Sequence, residues 1–299
     1  MNINTERTLS VRLNNRLGNQ MFQYAFARAM SLRMGISLVY LVGEEASRLD
    51  CFSLPETIQY AAAPVGITSS TSLASRIIGK IAALLAHHPR SLYAVTRCLQ
   101  PLLNACGVFF CLDGYITPRI KRLTRRSIYC SGYFQTERYF ADQREVIRRD
   151  FQFNESLRTS CELMSREIQS CCSVCVHIRL GDFLQLPNYQ VCDADYYRRA
   201  IAYIREQQPD ARFFVFSDDP ERAQSYLADI ETTVLPSCYT DQQSLYLGTL
   251  CRHHILSNSS FSWWMQYLGH SPGQMVVAPR RWMNDHTPTP QYQSHWITI

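Results

Sequence analysis

The sequence predicts an α/β protein with two Rossmann-like lobes, each built on a parallel, doubly wound sheet. Three observations support this class. At 299 residues and 46% apolar composition, the chain can bury two cores of roughly 150 residues each. From about residue 173 onward, short β-rich runs alternate with helical patterns. The first half opens with the same strand, helix, strand order, which is typical of a parallel sheet with helical crossovers.

Continuous apolar runs in the second half predict strands that are buried on both faces. These runs are Val174–Ile178, Phe213–Phe216, Thr232–Leu235, His254–Ser257 and Met275–Ala278. Apolar residues recur at helical spacing between the first two runs, and they predict an amphipathic crossover helix. They are Tyr197, Ala200, Ile201 and Ile204.

In the first half, the alternating run Leu9–Leu13 predicts a strand, followed by a loop through Gly18 and a helix over residues 21–30. Ile36–Val42 predicts the next strand, and the segment 69–112 reads as mostly helical. We place the first lobe, with a helical insertion, at residues 1–165 and the second at 166–299. Because ligands of open α/β sheets bind at the carboxyl ends of strands, we expect a cleft between the lobes.

The net charge and the hydropathy of the sequence limit the kinds of ligand and the cellular location that we expect. The net charge is +5, but only 18% of residues are charged and the basic ones are scattered, which suits an anionic small ligand better than nucleic acid. No apolar stretch reaches the roughly 20 residues that span a bilayer, and Met1–Leu9 lacks signal-peptide character. We expect a cytoplasmic protein. The apolar segment Ile77–Ala86 is either a packed helix or, given Arg76 and Arg90, a peripheral contact with the cytoplasmic face of the inner membrane.

Two short motifs have structural explanations that we favour. The C-x-x-C pair Cys172 and Cys175 lies in or just before a strand and not at a helix start, so it is interpreted as structural, with a redox role as the remote alternative. The D-x-D pair Asp193 and Asp195 precedes an amphipathic helix, where carboxylates cap the helix and offset its dipole. We therefore predict no metal site there.

Polar residues follow three predicted strands, at the positions where ligands bind. After Val174–Ile178, Arg179 can hold a phosphate with its planar donors, or it can pair with Asp182. His177 in the same strand is either a satisfied core residue or a catalytic one. After Phe213–Phe216, Asp219 fits a helix N-cap before Pro220, which leaves Asp218 freer to accept hydrogen bonds from a nucleotide.

The third segment, at residues 258–264, combines hydroxyls with a helix start. Ser259 and Ser260 can cap the helix, bind an anion, or do both, while Trp263 and Trp264 read as core residues. In the first lobe, residues 14–20 join a strand to a helix, with Gly18 allowing a tight turn and Arg16 offering a second cation. Neither the dinucleotide fingerprint nor a P-loop is present.

Seven segments, in order along nearly the whole chain, resemble the α-1,2-fucosyltransferases of glycosyltransferase family 11. They are RLGNQMFQYAFARAM near the start, GYFQTERYF at 132–140, VHIRLGD at 176–182, ADYYRRAIAYI, FVFSDD, HHILSNSSFSWW and VVAPRRW. The resemblance implies a two-lobed GT-B fold and transfer of fucose, with inversion and without a metal or other cofactor, from GDP-fucose to a terminal β-galactoside, lipid-linked or free. It assigns the acceptor to the first lobe and GDP-fucose to the second.

The resemblance also assigns roles residue by residue. It places the β-phosphate on Arg179, His177 beside the donor, and Gly18, Asn19 and Arg16 near the diphosphate. It places the guanosine near a further set: Asp218, Ser259, Ser260 and Phe261. The base that takes the acceptor proton is left open, and the candidates are Asp182, His177 and Glu137.

The sequence departs from the family pattern at three places. Leu180 replaces a usual second arginine, Asn15-Arg16 replaces a usual glycine pair, and Met265-Gln266 replaces a common Gly-Ala. An arginine at the place of Arg16 is found in the related protein O-fucosyltransferases. The alternatives to α-1,2-fucosyl transfer are a transferase with another nucleotide sugar or acceptor and a catalytically inactive glycan-binding relative.

Overall fold

The computed structural model describes residues 7–43, 47–65, 93–111, 115–118, 123, 127–285 and 290–299. The chain divides into two compact units, Met1–Phe151 and Gln152–Ile299. Every described strand pairing in both units is parallel. The predicted α/β class with two parallel sheets is therefore confirmed. The expected boundary at 165/166 lies further along the chain than this division.

The first unit contains a sheet of five described strands. They are β1 (Thr8–Arg12), β2 (Leu38–Val42), β3 (Ile58–Ala61), β4 (Val108–Cys111) and β5 (Ser127–Gly132). The described helices are α1 (Leu17–Met34), α2 (Tyr93–Ala105) and α3 (Arg144–Asp150). The strand order is β3-β2-β1-β5-β4. The predicted strands β1 and β2 are present, and the apolar segment at 77–86 lies outside the described residues.

Helix α1 is buried around most of its circumference, since its sequence is apolar on nearly every face. It begins at Leu17, so Gly18 belongs to its first turn and not to a loop as expected. The helix ends where Gly35 adopts φ +61° and donates its N–H to the carbonyls of Leu32 and Ser31. Two glutamines interrupt the apolar surface, and both hold the preceding loop, as described below.

The second unit contains a sheet of six described strands. They are β6 (Ser173–Ile178), β7 (Arg212–Ser217), β8 (Thr233–Val234), β9 (His253–Ile255), β10 (Val276–Ala278) and β11 (Ile297–Thr298). The described helices are α4 (Glu155–Ser160), α5 (Glu162–Gln169), α6 (Ala194–Gln207), α7 (Pro220–Tyr226), α8 (Asp241–Thr249) and α9 (Ser260–Leu268). The strand order is β11-β10-β9-β6-β7-β8. All five strands predicted for this half are present.

The core of the second unit lies around β6, whose six residues are all buried. The apolar stripe predicted for the crossover helix is confirmed, because Tyr197, Ala200, Ile201 and Ile204 of α6 are buried in this core. Helices α8 and α9 pack closely, since a Cβ on Gly248 would lie 2.8 Å from Met265. Glycine at 248 thus makes room for the methionine that departs from the family pattern.

Candidate functional site

Each sheet has one point where the strand order reverses. In the second unit, β7 and β8 extend to one side of β6, whereas β9 and the strands after it lie on the other side. In the first unit, β2 and β3 extend to one side of β1, and β5 lies on the other. Ligands of open α/β sheets bind outside the carboxyl ends of the strands at such reversals. Three of the predicted functional segments follow β1, β6 and β9 and so lie at these two points, while the fourth, with Asp218, follows β7, the neighbour of β6.

Arg179 follows β6 and is held by two carboxylates. Its Nη2 atom lies 2.5 Å from Oδ1 of Asp182 and its Nη1 atom 2.9 Å from Oδ2 of Asp218. The guanidinium carbon also lies 5.3 Å from the centre of the Phe183 ring. The pairing with Asp182 that the sequence left open is therefore present, and a second carboxylate joins it. The arginine side chain is 13% exposed, so it still reaches solvent.

Asp218 differs from our expectation, because it is not the freer of the two aspartates. Its Oδ1 accepts a hydrogen bond of 2.9 Å from the Leu180 N–H, while its Oδ2 pairs with Arg179. The parallel register explains this, since Ile178 pairs with Ser217 and the next residue of each strand then lies side by side. A Cβ on Gly181 would lie 2.3 Å from the Asp218 carboxylate. Only glycine fits there without a shift of this carboxylate.

Leu180 points away from Arg179 and into the core, where it is 1% exposed. Successive side chains of an extended segment point to opposite sides. The position where the family pattern has a second arginine therefore contributes to packing in this chain. It supplies no cation at the end of β6.

His177 is a buried residue with a hydrogen bond at one ring nitrogen. It is 5% exposed, and its Nδ1 lies 2.7 Å from the Ser257 Oγ. Burial, with the charge of Arg179 as the second cause, lowers the pKa of His177 to about 3. The imidazole is then neutral at pH 7 and a weak proton acceptor, which favours the core alternative over a general base.

The segment after β9 combines a helix cap with buried aromatic residues. The Ser259 Oγ accepts a 3.2 Å hydrogen bond from the Phe261 N–H and caps α9, as predicted. Trp263 and Trp264 are fully buried, so their assignment to the core is confirmed. Phe261 is only partly buried, and its ring centre lies 5.4 Å from that of His177. Ser260 opens α9 beside it.

Asn258 is a residue that the sequence did not single out. It is 3% exposed, and its Nδ2 donates hydrogen bonds to the carbonyls of Tyr189 (3.0 Å) and Trp282 (2.9 Å). One side chain thereby ties together the loops that follow β6, β9 and β10. An asparagine between two serines after a strand was the available signal, but its partners lie far away in sequence.

In the first unit, the loop between β1 and α1 is shaped by backbone conformation. Asn15 has φ +61°, a left-handed value that asparagine tolerates better than most residues. This explains how asparagine serves where the family pattern has glycine. Arg16 is the exposed N-cap residue of α1, and its side chain makes no capping hydrogen bond. The first turn of α1 contains no acidic residue.

Neutral amides fix this loop. The Gln20 Nε2 donates to the Asn15 carbonyl (3.1 Å), and the Gln23 Nε2 donates to the Gly132 carbonyl (3.1 Å) at the end of β5. The Gln135 Nε2 donates to the Asn19 Oδ1 at 2.7 Å. The loops after β1 and β5 are therefore joined. We had not predicted these three glutamines, although two of them stand out as polar residues in a buried helix.

Phe134 lies in the loop after β5 with φ +52°, an unusual value for an aromatic residue. Its ring stacks on Phe26 of α1, with centres 3.8 Å apart and planes at 4°. This packing holds the strained residue in place and presents Gln135 to Asn19. Glu137, one of the candidate bases, pairs with Arg144 at 2.6 Å.

The two short motifs have the structural roles that we favoured. The Asp193 Oδ1 accepts a 2.8 Å hydrogen bond from the Tyr196 N–H and caps α6, while Asp195 pairs with Arg199 at 2.9 Å. Among the described residues, no group of three or more His, Cys, Asp or Glu side chains could hold a metal ion. Burial raises the pKa of the Cys175 thiol well above its usual value, which disfavours the reactive thiolate.

The family model described as "Glycosyl transferase family 11" matches residues 115–299. The chain belongs to glycosyltransferase family 11, and its two parallel α/β sheets have the fold of GT-B fucosyltransferases. An α-1,2-colitosyltransferase of Escherichia coli is 29% identical over 96% of this chain and 97% of its own length. The O-antigen biosynthesis glycosyltransferase WbnK of the same organism is 27% identical over 96% and 99%.

More distant proteins extend the comparison. Galactoside α-(1,2)-fucosyltransferase 1 of Rattus norvegicus is 29% identical over 52% of this chain and 46% of its own length. The crystal structure of the α-1,6-fucosyltransferase NodZ soaked with GDP-fucose shares the fold, with a TM-score of 0.52, 13% identity, and coverage of 88% of this chain and 92% of that one. Within the residues that the structure describes, no helix is both long and apolar enough to cross a membrane.

Proposed function

We propose that this family 11 glycosyltransferase is an inverting α-1,2-fucosyltransferase, which moves L-fucose from GDP-fucose to the 2-hydroxyl of a terminal β-galactoside. One observation carries the proposal: a partly exposed arginine stands at the carboxyl end of β6, where the strand order reverses. Such an arginine can bind a diphosphate with two parallel donors. The name of the mammalian relative supports fucose as the sugar, and the names of the bacterial and mammalian relatives both support a 1,2 linkage.

The ion pairs of Arg179 determine how it would meet the donor. Asp182 is 49% exposed and is the less enclosed partner, whereas Asp218 is 21% exposed and also accepts the Leu180 N–H. We propose that the diphosphate replaces Asp182 on Arg179 while Asp218 keeps the guanidinium oriented. The exchange substitutes one anion for another, so Arg179 always has an anionic partner.

This exchange also bears on the choice of base. In an inverting transfer, the acceptor hydroxyl attacks the anomeric carbon, the bond to the GDP oxygen breaks, and negative charge builds on the diphosphate. Arg179 would stabilise that charge. Removal of one such donor typically lowers the rate of an enzyme by about a hundredfold to a thousandfold. The displaced Asp182 carboxylate would be free to accept the hydroxyl proton. We therefore favour Asp182 over His177 and Glu137.

The remaining donor contacts are proposals of the same kind. The guanosine would lie near Ser259, Ser260 and Phe261, where Phe261 offers a partly exposed ring. Asp218 would act by orienting Arg179 and not by contact with the guanine ring. In the first unit, the α1 start suits an anion, since it lacks a capping side chain and an acidic first turn and carries Arg16. No step uses a metal, so we expect a chelator to leave turnover unchanged.

A second candidate is colitosyl transfer, favoured by the α-1,2-colitosyltransferase relative that matches nearly the whole chain. Colitose lacks one hydroxyl that fucose carries, and a site that binds this hydroxyl rejects the sugar without it. In the test, the purified enzyme receives lactose and either GDP-fucose or GDP-colitose. The linkage of the product is then determined. Fucosylation at the galactose 2-hydroxyl supports the main proposal; transfer of colitose alone, or no GDP release with either sugar, rejects it.

A further inference from the structure

A cavity in the carboxyl-terminal unit, apart from the residues around Arg179, is lined by several arginines. It encloses about 340 Å³ and lies between the start of α6 and the segment that follows β10. Three arginines line it, namely Arg199, Arg280 and Arg281, together with the apolar side chains of Val191 and Pro279. No residue of this cavity belongs to the site around Arg179.

Two of the three arginines are available to a ligand. Arg199 pairs with Asp195 at 2.9 Å. Arg280 and Arg281 are exposed, and neither forms an ion pair with any residue that the structure describes. Two carboxylates also line the cavity, that of Asp193 and the terminal carboxylate of Ile299, the last residue of the sequence. Asp193 caps α6 through the Tyr196 N–H and Ile299 accepts the Arg280 N–H, so part of the hydrogen-bonding capacity of each is used, and the three arginines outnumber them.

The backbone that presents the two arginines is fixed on both sides. The Pro279 carbonyl accepts a 2.5 Å hydrogen bond from the Tyr292 hydroxyl, and the Arg280 N–H donates to a terminal carboxylate oxygen of Ile299 at 3.2 Å. The Trp282 carbonyl accepts from the buried amide of Asn258. Cations on a fixed backbone bind an anion with a smaller loss of chain entropy than cations on a free loop.

The position of the cavity indicates a ligand group other than the donor diphosphate. Strand β10 lies two strands from β6 in the sheet order, which corresponds to roughly 10 Å along the carboxyl edge. Arg179 and the arginines of the cavity therefore follow strands that are separated by β9. Both places lie at the ligand-binding edge of the same sheet.

We propose that Arg280 and Arg281 bind a phosphate or diphosphate group carried by the acceptor. The apolar wall beside the cations suits a group that is attached to a larger molecule. The assignment to the acceptor rests on the proposed transfer reaction, whereas the anion site itself does not. Paired arginines bind phosphate through charge-assisted hydrogen bonds.

The first experiment titrates the whole protein with inorganic pyrophosphate by calorimetry in the presence of saturating GDP. We expect R280Q/R281Q to weaken pyrophosphate binding by about tenfold or more, with GDP affinity changed by less than about twofold. The control R166Q/R212Q removes two exposed arginines of the same unit that pair with Glu162 and Glu167. We expect it to behave as the wild type.

Three results would overturn the site. They are the absence of pyrophosphate binding, an equal loss in the control variant, and a parallel loss of GDP affinity in R280Q/R281Q. Sedimentation with phosphatidylglycerol vesicles distinguishes a lipid surface: vesicle binding that requires both arginines, without pyrophosphate binding, also contradicts a pocket. If GDP fails to bind the wild type while pyrophosphate binds, the proposed function fails and the anion site stands.

The second experiment tests the assignment to the acceptor. With the wild type, we expect a lower KM for lactose 1-phosphate than for lactose, by about fivefold or more, with a similar kcat. In R280Q/R281Q the two KM values should converge, because the phosphate has lost its partners. Equal KM values in the wild type would reject the acceptor as the source of the phosphate.

Discussion

In both units, side chains fix the loops at the carboxyl ends of the strands, but the two units use different side-chain chemistry. In the first unit, uncharged glutamine side chains fix the loops after β1 and β5, through Gln20, Gln23 and Gln135. In the second unit, ion pairs fix the loop after β6, through Arg179, Asp182 and Asp218. An amide network has no charge to exchange, whereas an ion pair can exchange one anion for another. Under the proposed transfer, the second unit is therefore the one that would hold a leaving group whose charge changes.

We expect the largest effect on activity from a substitution of Gly181, which lies against the carboxylate that orients Arg179. In Gly181→Ala, the new methyl would lie 2.3 Å from the Asp218 carboxylate, so this carboxylate must move off Arg179. We expect kcat/KM to fall by about a hundredfold or more. The control is Gly35→Ala, where nothing lies within 4 Å of the added Cβ but φ is +61°. It should cost stability and leave kcat/KM within about twofold; equal activity losses in both variants would contradict the account.

The next prediction breaks the amide network of the first unit. In Gln23→Leu, the fully buried amide is lost, leaving the Asn14 N–H and the Gly132 carbonyl without this partner. We expect the local stability around α1 to fall by about 2–3 kcal/mol, measured by hydrogen exchange of its amides. The exposed Gln59 of β3 offers the control Gln59→Leu. No difference between the two variants would show that the network has no structural role.

A pH titration sharpens the comparison, since the buried histidines that are described lie in the second unit. Burial lowers the pKa of His177 to about 3 and that of His254 to about 4. Their stabilising contribution is complete above the unfolded pKa of about 6.5 and is lost as the pH falls towards these values. We expect each to lower the unfolding free energy by about 1.4 kcal/mol per pH unit within that window.

The tryptophans provide the measurement, because all four lie in the second unit, at 263, 264, 282 and 296. Their fluorescence follows urea unfolding of that unit between pH 7 and pH 5. His177→Asn should flatten the pH dependence, since an amide nitrogen can replace Nδ1 at Ser257 without titrating. An unchanged slope would show that the neutral imidazole does not contribute to stability.

The smallest effect concerns Asn15. Its φ of +61° favours glycine over other residues. We expect Asn15→Ala to destabilise the protein by about 1 kcal/mol and Asn15→Gly to be nearly neutral, as measured by urea unfolding. The Asn15 Nδ2 also donates to the Asn14 Oδ1 at 3.3 Å. A glycine variant as unstable as the alanine variant would mean that this hydrogen bond, and not the backbone conformation, determines the stability.

Local sequence patterns were sufficient for the elements and their caps. The buried stripe of α6, the N-caps Asp193, Asp219 and Ser259, and the core positions of Trp263 and Trp264 follow from neighbours within a few residues. The partners of Asp218 and Asn19 do not, because they depend on which strands are adjacent. Asn19 meets Gln135 across 116 residues only because β5 pairs with β1. The spacing of residues along the chain does not show which strands are adjacent.

The departures from the family pattern illustrate the same limit. From the sequence, Leu180 read as a missing cation, and its direction into the core required the structure. Arg179 was expected to meet a phosphate or Asp182, yet Asp218 is the carboxylate enclosed by a further hydrogen bond. The register of β6 with β7 explains that contact. This register distinguishes the two partners of Arg179: Asp218 is held in place, whereas Asp182 is more exposed.

The most direct test of the exchange at Arg179 compares two matched substitutions by calorimetric titration with GDP. Asp182→Asn removes the anion that competes with the diphosphate, so GDP should bind about threefold more tightly or better. Asp218→Asn removes the partner that orients the guanidinium, so GDP should bind about tenfold more weakly. Changes of the same sign in both variants, or wild-type GDP affinity in Arg179→Ala, would contradict the account.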